Sequence, residues 1–283
     1  GSKIPSVGET ILGNDYNIGP GGKGCNQAIA IARLGGKVNF LTKLGRDDYG
    51  QLALKILNQN KIDTSTITES CYHKTGVAGI MVDRKTGENA INVITGAPST
   101  LTVNEIDKNI DKIKNSKIFL TQLEIPKEVT LHCLKIAKEN NVLTILNPAP
   151  ASEISKEFFN YVDYFTPNET EAEFYTGIRI TNEKEAKQAS VKLLNLGLKK
   201  VIITLGEKGL FYSDGNEEIY LKATLVKAID TTGAGDAFNG GLAYALSQNK
   251  SIEEALKLAN KVAGLSTLKL GAGNAMPTLK DLS

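Results

Sequence analysis

AIDTTGAGDAFNGGLAYAL, residues 228–246, is the stretch on which the reading of this chain turns. A short apolar run ends at Asp230, Thr231 and Thr232 follow, and Gly233-Ala234-Gly235 leads directly into Asp236. Beyond it Phe238, Leu242, Ala245 and Leu246 fall on one face, the pattern of an amphipathic helix. A glycine turn opening a helix aims several backbone N–H groups at one point. The helix dipole adds positive potential there, so residues 233–235 form a candidate anion hole. Asp236 sits in the first turn beside it. These residues alone leave two readings open: a helix cap, the commoner use of Gly-x-Gly-Asp, or a catalytic base. A helix N-terminus favours the carboxylate, which predicts a weak base. That suffices for phosphoryl transfer to an alcohol, where the transition state is loose and the proton needs only an acceptor.

Working outward, segments of two kinds alternate. Residues 117–123, 142–150, 162–167 and 200–206 read as buried strands, and residues 126–141, 168–177 and 183–197 as helices. Continuous Val/Ile/Leu runs between amphipathic helices predict a doubly wound, mostly parallel α/β sheet covered on both faces. Ligands then gather at the carboxyl ends of the strands. The turns of interest are 122–124 (QLE), 147–150 (NPAP), 166–171 (TPNETE), 204–209 (TLGEKG) and 230–236 (DTTGAGD). The first hundred residues differ. A helix is expected over 23–35 and a strand over 38–45. Further strands are expected over 10–19 and 75–96, the latter a hairpin turning around Lys85-Thr86-Gly87. Without crossover helices, the strands near 8–20 and 75–96 read as a small β-lid on a single domain spanning 1–283, placed to cover a site or to pair with a second subunit.

Bulk properties narrow the function. The 283 residues are 41% hydrophobic, enough for a large core. Charge is balanced, 33 basic against 31 acidic residues, with no basic block to hold nucleic acid. No apolar run approaches the roughly 18 residues needed to cross a bilayer, and no signal peptide is expected. Cys25, Cys71 and Cys133 are scattered and odd in number, which fits a reduced, cytoplasmic setting. With only His73 and His132, a histidine metal site or a Ser-His-Asp triad is disfavoured.

Two other motifs carry chemistry. Residues 19–24, GPGGKG, match Gly-x-Gly-x-x-Gly, with Asp47 and Asp48 near the position of a ribose acid. The preceding segment is polar and glycine-punctuated rather than a buried strand, so a dinucleotide site is rejected. Gly21, Gly22 and Gly24 instead let backbone approach a small polar ligand, with Lys23 and Asn26 directed at it. In PNETE (167–171), Asn168 and Glu171 lie one helical turn apart. They are either a helix cap or a pair ordering Mg²⁺ waters and phosphate. The Asn168-Glu169-Thr170 sequon is discounted, and no Walker A motif occurs.

GGKGCNQAIAIARLGG, QLE, NPAP with TPNETEAE, and DTTGAGDAFNGGL, in this order from about Gly8 to Leu282, resemble the ribokinase family within the PfkB carbohydrate kinases. The resemblance implies a doubly wound α/β domain, a β-lid that pairs into a homodimer, and ATP-dependent phosphorylation of the 5-hydroxyl of D-ribose. It implies Asp236 as base and Gly233, Ala234 and Gly235 as anion hole. Gly22, Lys23, Asn26 and Glu124 would hold sugar hydroxyls. Asn168 and Glu171 would serve phosphate and magnesium. Thr204 and Gly206 would flank the nucleotide, with Asn260 near the adenine. Asp230, the carbonyl of Thr232 and the loop containing Gly271 would bind potassium. Other sugars (deoxyribose, fructose, a ketodeoxy-sugar acid) and a non-catalytic binding role are the rivals.

The chain also departs from the pattern. The family's opening strand, with an Asn-x-Asp segment whose aspartate binds the sugar, has no counterpart before PSVGET (5–10); if that strand is truly gone, a central sheet position is empty, one sugar contact is lost, and poor stability with weak or absent sugar kinase activity is expected. Ala275 stands where many relatives carry serine, and Cys25 where alanine is usual.

Overall fold

The computed structural model describes residues 1–83, 86 and 89–282. In chain order the elements are α1 (Lys23–Arg33), β1 (Lys43–Gly45), α2 (Asp48–Gln59), β2 (Thr68–Ser70), β3 (Val77–Val82), β4 (Asn89–Ile94), α3 (Val103–Asp107), α4 (Ile110–Lys114), β5 (Ile118–Thr121), α5 (Lys127–Glu139), β6 (Leu143–Leu146), β7 (Tyr164–Phe165), α6 (Glu169–Thr176), α7 (Glu183–Asn195), β8 (Val201–Thr204), β9 (Leu210–Ser213), β10 (Glu218–Leu221), α8 (Ala234–Ser247) and α9 (Ile252–Ser266). Six strands form one sheet in the order β10-β9-β8-β7-β6-β5. From β5 to β8 they pair in parallel, and β9 and β10 add an antiparallel edge.

Alternation along each strand supplies two cores. Ile145, Tyr164, Ile202 and Tyr212 pack on one face against Phe238 and Leu242 of α8 and Ala255 and Leu256 of α9. Leu146, Phe165, Val201, Ile203 and Phe211 pack on the other against Leu134 of α5 and Ala186, Ala189 and Leu193 of α7. Strands buried on both faces explain the uninterrupted apolar runs, and the expected doubly wound architecture is the one observed. A third core joins Ala28, Ile29 and Ala30 of α1, and Leu34 just after it, to Ala237 and Val262. This contact brings α1 against α8, and Gly240 makes it possible. A Cβ there would lie 2.5 Å from the Ala30 Cβ.

Two expectations need correction, and part of a third lies outside the described residues. Residues 10–19 form no strand: Gly13, Asn14, Asp15 and Gly19 interrupt the apolar pattern, and no partner edge satisfies the backbone. The strand expected over 38–45 is regular only at β1, with an isolated bridge from Asn39 to Asp63. The hairpin forms as β3 and β4, whereas the expected turn at Lys85 and Gly87 falls outside the described residues. β1 and β2 pair with each other in a separate two-stranded sheet. Among the described residues nothing pairs with the outer edge of β5. Ile118, Phe119 and Leu120 on that edge are only half-buried, whereas Ile145 and Leu146 of β6 are fully buried.

Candidate active site

Because β5 to β8 run in parallel, their carboxyl ends open on one side, and the turns that follow them meet there. A cleft of about 160 Å³ is lined by Lys23, Asn147, Asn168, Glu171, Thr204, Thr231, Gly233, Ala234, Gly235, Asp236 and Asn239. A larger concavity of about 560 Å³ behind α1 is lined by residues such as Gly35, Lys37, Asn39 and Lys61. The smaller cleft, where carboxylates, amides and a helix N-terminus converge, is the candidate chemical site.

The question posed by Asp236 is answered by its partners. The N-cap of α8 is Gly233, in the left-handed conformation (φ 78°), and no side chain caps the helix. Asp236, only 6% exposed, instead receives the Asn26 amide on Oδ2 at 2.9 Å and the Gln27 amide on Oδ1 at 3.0 Å. Helical spacing on α1 places Lys23, Asn26 and Gln27 on one face, so all three meet the start of α8. Burial pushes the Asp236 carboxyl up, while the Lys23 charge and the two amides pull it partway back, and the net shift is upward. The helix dipole alone predicts a weak base. Desolvation outweighs that effect and makes Asp236 a stronger acceptor than an exposed aspartate.

The candidate anion hole is narrower than the motif suggested. The Ala234 N–H is engaged by the Thr231 carbonyl at 3.1 Å. Among the described residues, the N–H groups of Gly233, Gly235 and Asp236 make no hydrogen bond and remain available to an anion at the start of α8.

On the α1 side, Gly22 has φ 83°, and the Lys23 backbone N–H donates to Glu124 Oε2 at 2.7 Å. Glu124 is therefore no surface ion pair. It lies half-buried at the end of β5, and burial raises its carboxyl despite the Lys23 N–H and charge. Asn26 Oδ1 is a buried acceptor with no partner, which suits a hydroxyl donor from a ligand.

Asn168 and Glu171 do form the reciprocal cap: Asn168 Oδ1 accepts from the Glu171 N–H at 2.8 Å, and Glu171 Oε2 accepts from the Asn168 N–H at 2.9 Å. Both still line the cleft, and burial raises the Glu171 carboxyl. Thr204 ends β8 and bridges to Asn168. Gly206, with φ 54°, opens the turn that follows. Asn260 does not line this cleft; its exposed amide donates to the Lys222 carbonyl at 2.7 Å. Asp230 joins two loops: Oδ1 accepts from the Thr232 N–H and Oδ2 from the Gly271 N–H, both at 2.9 Å. Burial pulls its carboxyl up, but these hydrogen bonds outweigh it and leave the group below its ordinary value. Ala275, fully buried, adds no oxygen there.

Gln27, Asn147 and Asn239, all buried amides, received no role from the sequence; Gln27 carried a signal in its helical spacing from Lys23, and Asn147 in opening the NPAP turn at a strand end.

A buried carboxylate beside free backbone N–H groups at a helix start is an arrangement able to move a phosphoryl group onto an alcohol. Comparison with known proteins agrees. The description of the pfkB family carbohydrate kinases matches residues 2–279. A ribokinase of Haemophilus influenzae is 41% identical, over 97% of this chain and 89% of its own. A deoxyribokinase of Salmonella typhi is 34% identical, over 100% of this chain and 92% of its own. An Arabidopsis thaliana ribokinase, solved with ribose and ATP, superposes with a TM-score of 0.91 at 31% identity over 99% of this chain and 92% of its own. The chain belongs to the pfkB family of carbohydrate kinases.

Proposed function

We propose that this protein transfers the terminal phosphoryl group of ATP to the 5-hydroxyl of D-ribose, giving D-ribose 5-phosphate and ADP. The observation that carries this reading is Asp236, buried and hydrogen-bonded through both oxygens, beside the unengaged N–H groups of Gly233 and Gly235. Asp236 accepts the hydroxyl proton as the sugar oxygen bonds to phosphorus. The backbone N–H groups stabilise the charge on the phosphoryl oxygens, the preorganised kind of stabilisation that enzymes use most. Glu124, Lys23, Gly22 and the unpartnered Asn26 Oδ1 supply hydroxyl partners. Unpaired polar groups in such a site disfavour analogues lacking the hydroxyls. Asn168, Thr204 and Gly206 flank the nucleotide.

No cluster of three or more potential metal-ligating side chains occurs among the described residues, so the site suits magnesium held mainly by phosphate and water. Glu171 and Asn168 would order those waters, and the ion would neutralise phosphate charge. Potassium fits the Asp230, Thr232 and Gly271 corner, where an ionised carboxylate and carbonyls offer hard oxygen donors and the two loops already meet. It would hold the anion-hole turn in place. Asp230→Ala is expected to abolish stimulation by K⁺ while leaving the fold intact. Turnover measured against KCl, with constant ionic strength, checks this, and unchanged stimulation would remove Asp230 from the cation site.

The β-lid is proposed as a homodimer interface. Antiparallel pairing puts Ala78, Ile80, Val82, Ile91 and Val93 on one face of the β3–β4 hairpin, and the four larger side chains are 44–61% exposed. Such a patch marks an association surface. Ile80→Lys is expected to convert a dimer into a monomer in sedimentation velocity; a native monomer, or a variant that remains dimeric, overturns the assignment. The proposed setting is the cytoplasm. Among the described residues no helix is long and apolar enough to cross a membrane, and the three cysteines are free.

A coupled assay of ADP release with D-ribose, 2-deoxy-D-ribose and D-fructose tests the function. Ribose should be preferred, with the product phosphorylated at the 5-hydroxyl. Preference for another sugar would reassign the substrate, and sugar binding without turnover with any of them would mark a binding protein.

A further inference from the structure

Asp236 is held by more than the sugar-facing residues. Gln27 is 1% exposed, and all its polar atoms are engaged. Its Nε2 donates to Asp236 Oδ1 at 3.0 Å and to Asn147 Oδ1 at 3.1 Å, while its Oε1 accepts from Gln122 Nε2. The amide orientation is dictated by these neighbours. Asn147 Nδ2 donates to the Thr166 carbonyl at 3.0 Å, which leaves Asn147 Oδ1 as an acceptor facing Gln27. A flipped Gln27 would oppose its carbonyl to two acceptors. The chain of bonds continues. Thr166 Oγ1 donates to Asn239 Oδ1 at 2.7 Å, and Asn239 Nδ2 donates to the Gly235 carbonyl at 2.9 Å, inside the anion-hole turn.

We propose that Gln27 is a positioning residue for Asp236, clamping the carboxylate plane from a side-chain network anchored at Gln122 and Asn147. The terminal torsion of an aspartate is soft, with a broad two-fold profile. The Asn26 bond alone leaves Oδ1 free to swing; the Gln27 bond fixes both oxygens relative to the N–H groups of Gly233 and Gly235. Gln27 touches neither sugar nor nucleotide in this role and acts through Asp236. Gln122 lies two residues before Glu124, so the same network ties the sugar-binding end of β5 to the base and the base to the anion hole.

The inference rests on the reading of Asp236 as base, and the experiment separates the two. Native turnover with D-ribose and ATP is measured first; its absence removes the function and this proposal together. In Gln27→Leu, kcat is expected to fall by up to about 100-fold, the scale of an ångström-sized misplacement of a reacting group. The KM for ATP should change little. The acid limb of the kcat–pH profile should move to higher pH, because an N–H donor that favours the carboxylate is gone. The other groups facing Asp236 are Lys23 and Cys25 of α1, Glu124 after β5 and Glu171 of α6, all unaltered by the substitution. Gln122→Leu leaves Gln27 in place but frees its Oε1, and should give a smaller change in the same direction. It also decides the matter should Gln27→Leu fail to fold. An active native enzyme whose variants lose thermal stability yet keep kcat and the acid limb overturns the proposal.

Discussion

Asp236→Asn should lower sugar-dependent ADP release by about 10²- to 10⁴-fold, the range contributed by a positioned general base. The substitution keeps the shape of the side chain and removes only its capacity to take a proton. It also places an amide donor against either Asn26 Nδ2 or Gln27 Nε2, so one of two hydrogen bonds is lost. Thermal stability separates chemistry from folding. The folded-state carboxyl of Asp236 is raised above its unfolded value, chiefly by burial. The sign follows from linkage: such a group favours folding below the unfolded pKa, and that contribution is lost as pH rises through the folded pKa. At neutral pH the buried charge therefore opposes folding. The asparagine variant escapes that penalty, so its Tm at neutral pH should match or exceed the native value while activity collapses. The native kcat/KM profile should correspondingly fall on the acid side at a pH above the ordinary aspartate range. Turnover in Asp236→Asn close to native would remove the base assignment outright.

Gly240→Ala tests how the site is held together. In a solvated helix this change stabilises by roughly 1 kcal/mol. Here the new Cβ would lie 2.5 Å from the Ala30 Cβ and 3.1 Å from the Gln27 carbonyl oxygen, and neither neighbour has a flexible end to withdraw. Overpacking of this kind costs about 1–3 kcal/mol, which offsets or exceeds the propensity gain. The expected result is a Tm lower by several degrees. Activity should fall by more than stability alone explains. α1 carries Lys23, Asn26 and Gln27, α8 carries Asp236, and a wedge at their crossing separates the base from the residues that orient it. Thermal denaturation and steady-state kinetics together check this; a variant with native Tm and native kcat would show that the two helices can part without consequence.

Much of the architecture was legible because parallel strands buried on both faces must be apolar throughout, and β5, β6 and β8 fall inside the expected runs. Helix ends were equally readable: Asn168 caps α6 and Gly177 closes it in the left-handed conformation, as their residue types demand. Residues 10–19 misled because a strand needs a partner edge, and no local pattern reports whether one is present. Asn260 was placed near the adenine by resemblance alone; its amide holds the Lys222 carbonyl, a contact that no local pattern announces.

DTTGAGD shows where the boundary lies. Local chemistry determined the turn and the helix after it and left cap and base both open, because glycine torsions and helix periodicity act over a few residues. Only the tertiary structure shows that Asp236 is not the cap of its helix. Asn26 and Gln27 reach Asp236 across 210 and 209 residues of sequence, and burial at the α1–α8 contact raises a carboxyl that the helix dipole alone would have lowered. Desolvation and long-range hydrogen bonds depend on what the whole chain packs around a group, which is why neither could be read from the motif itself.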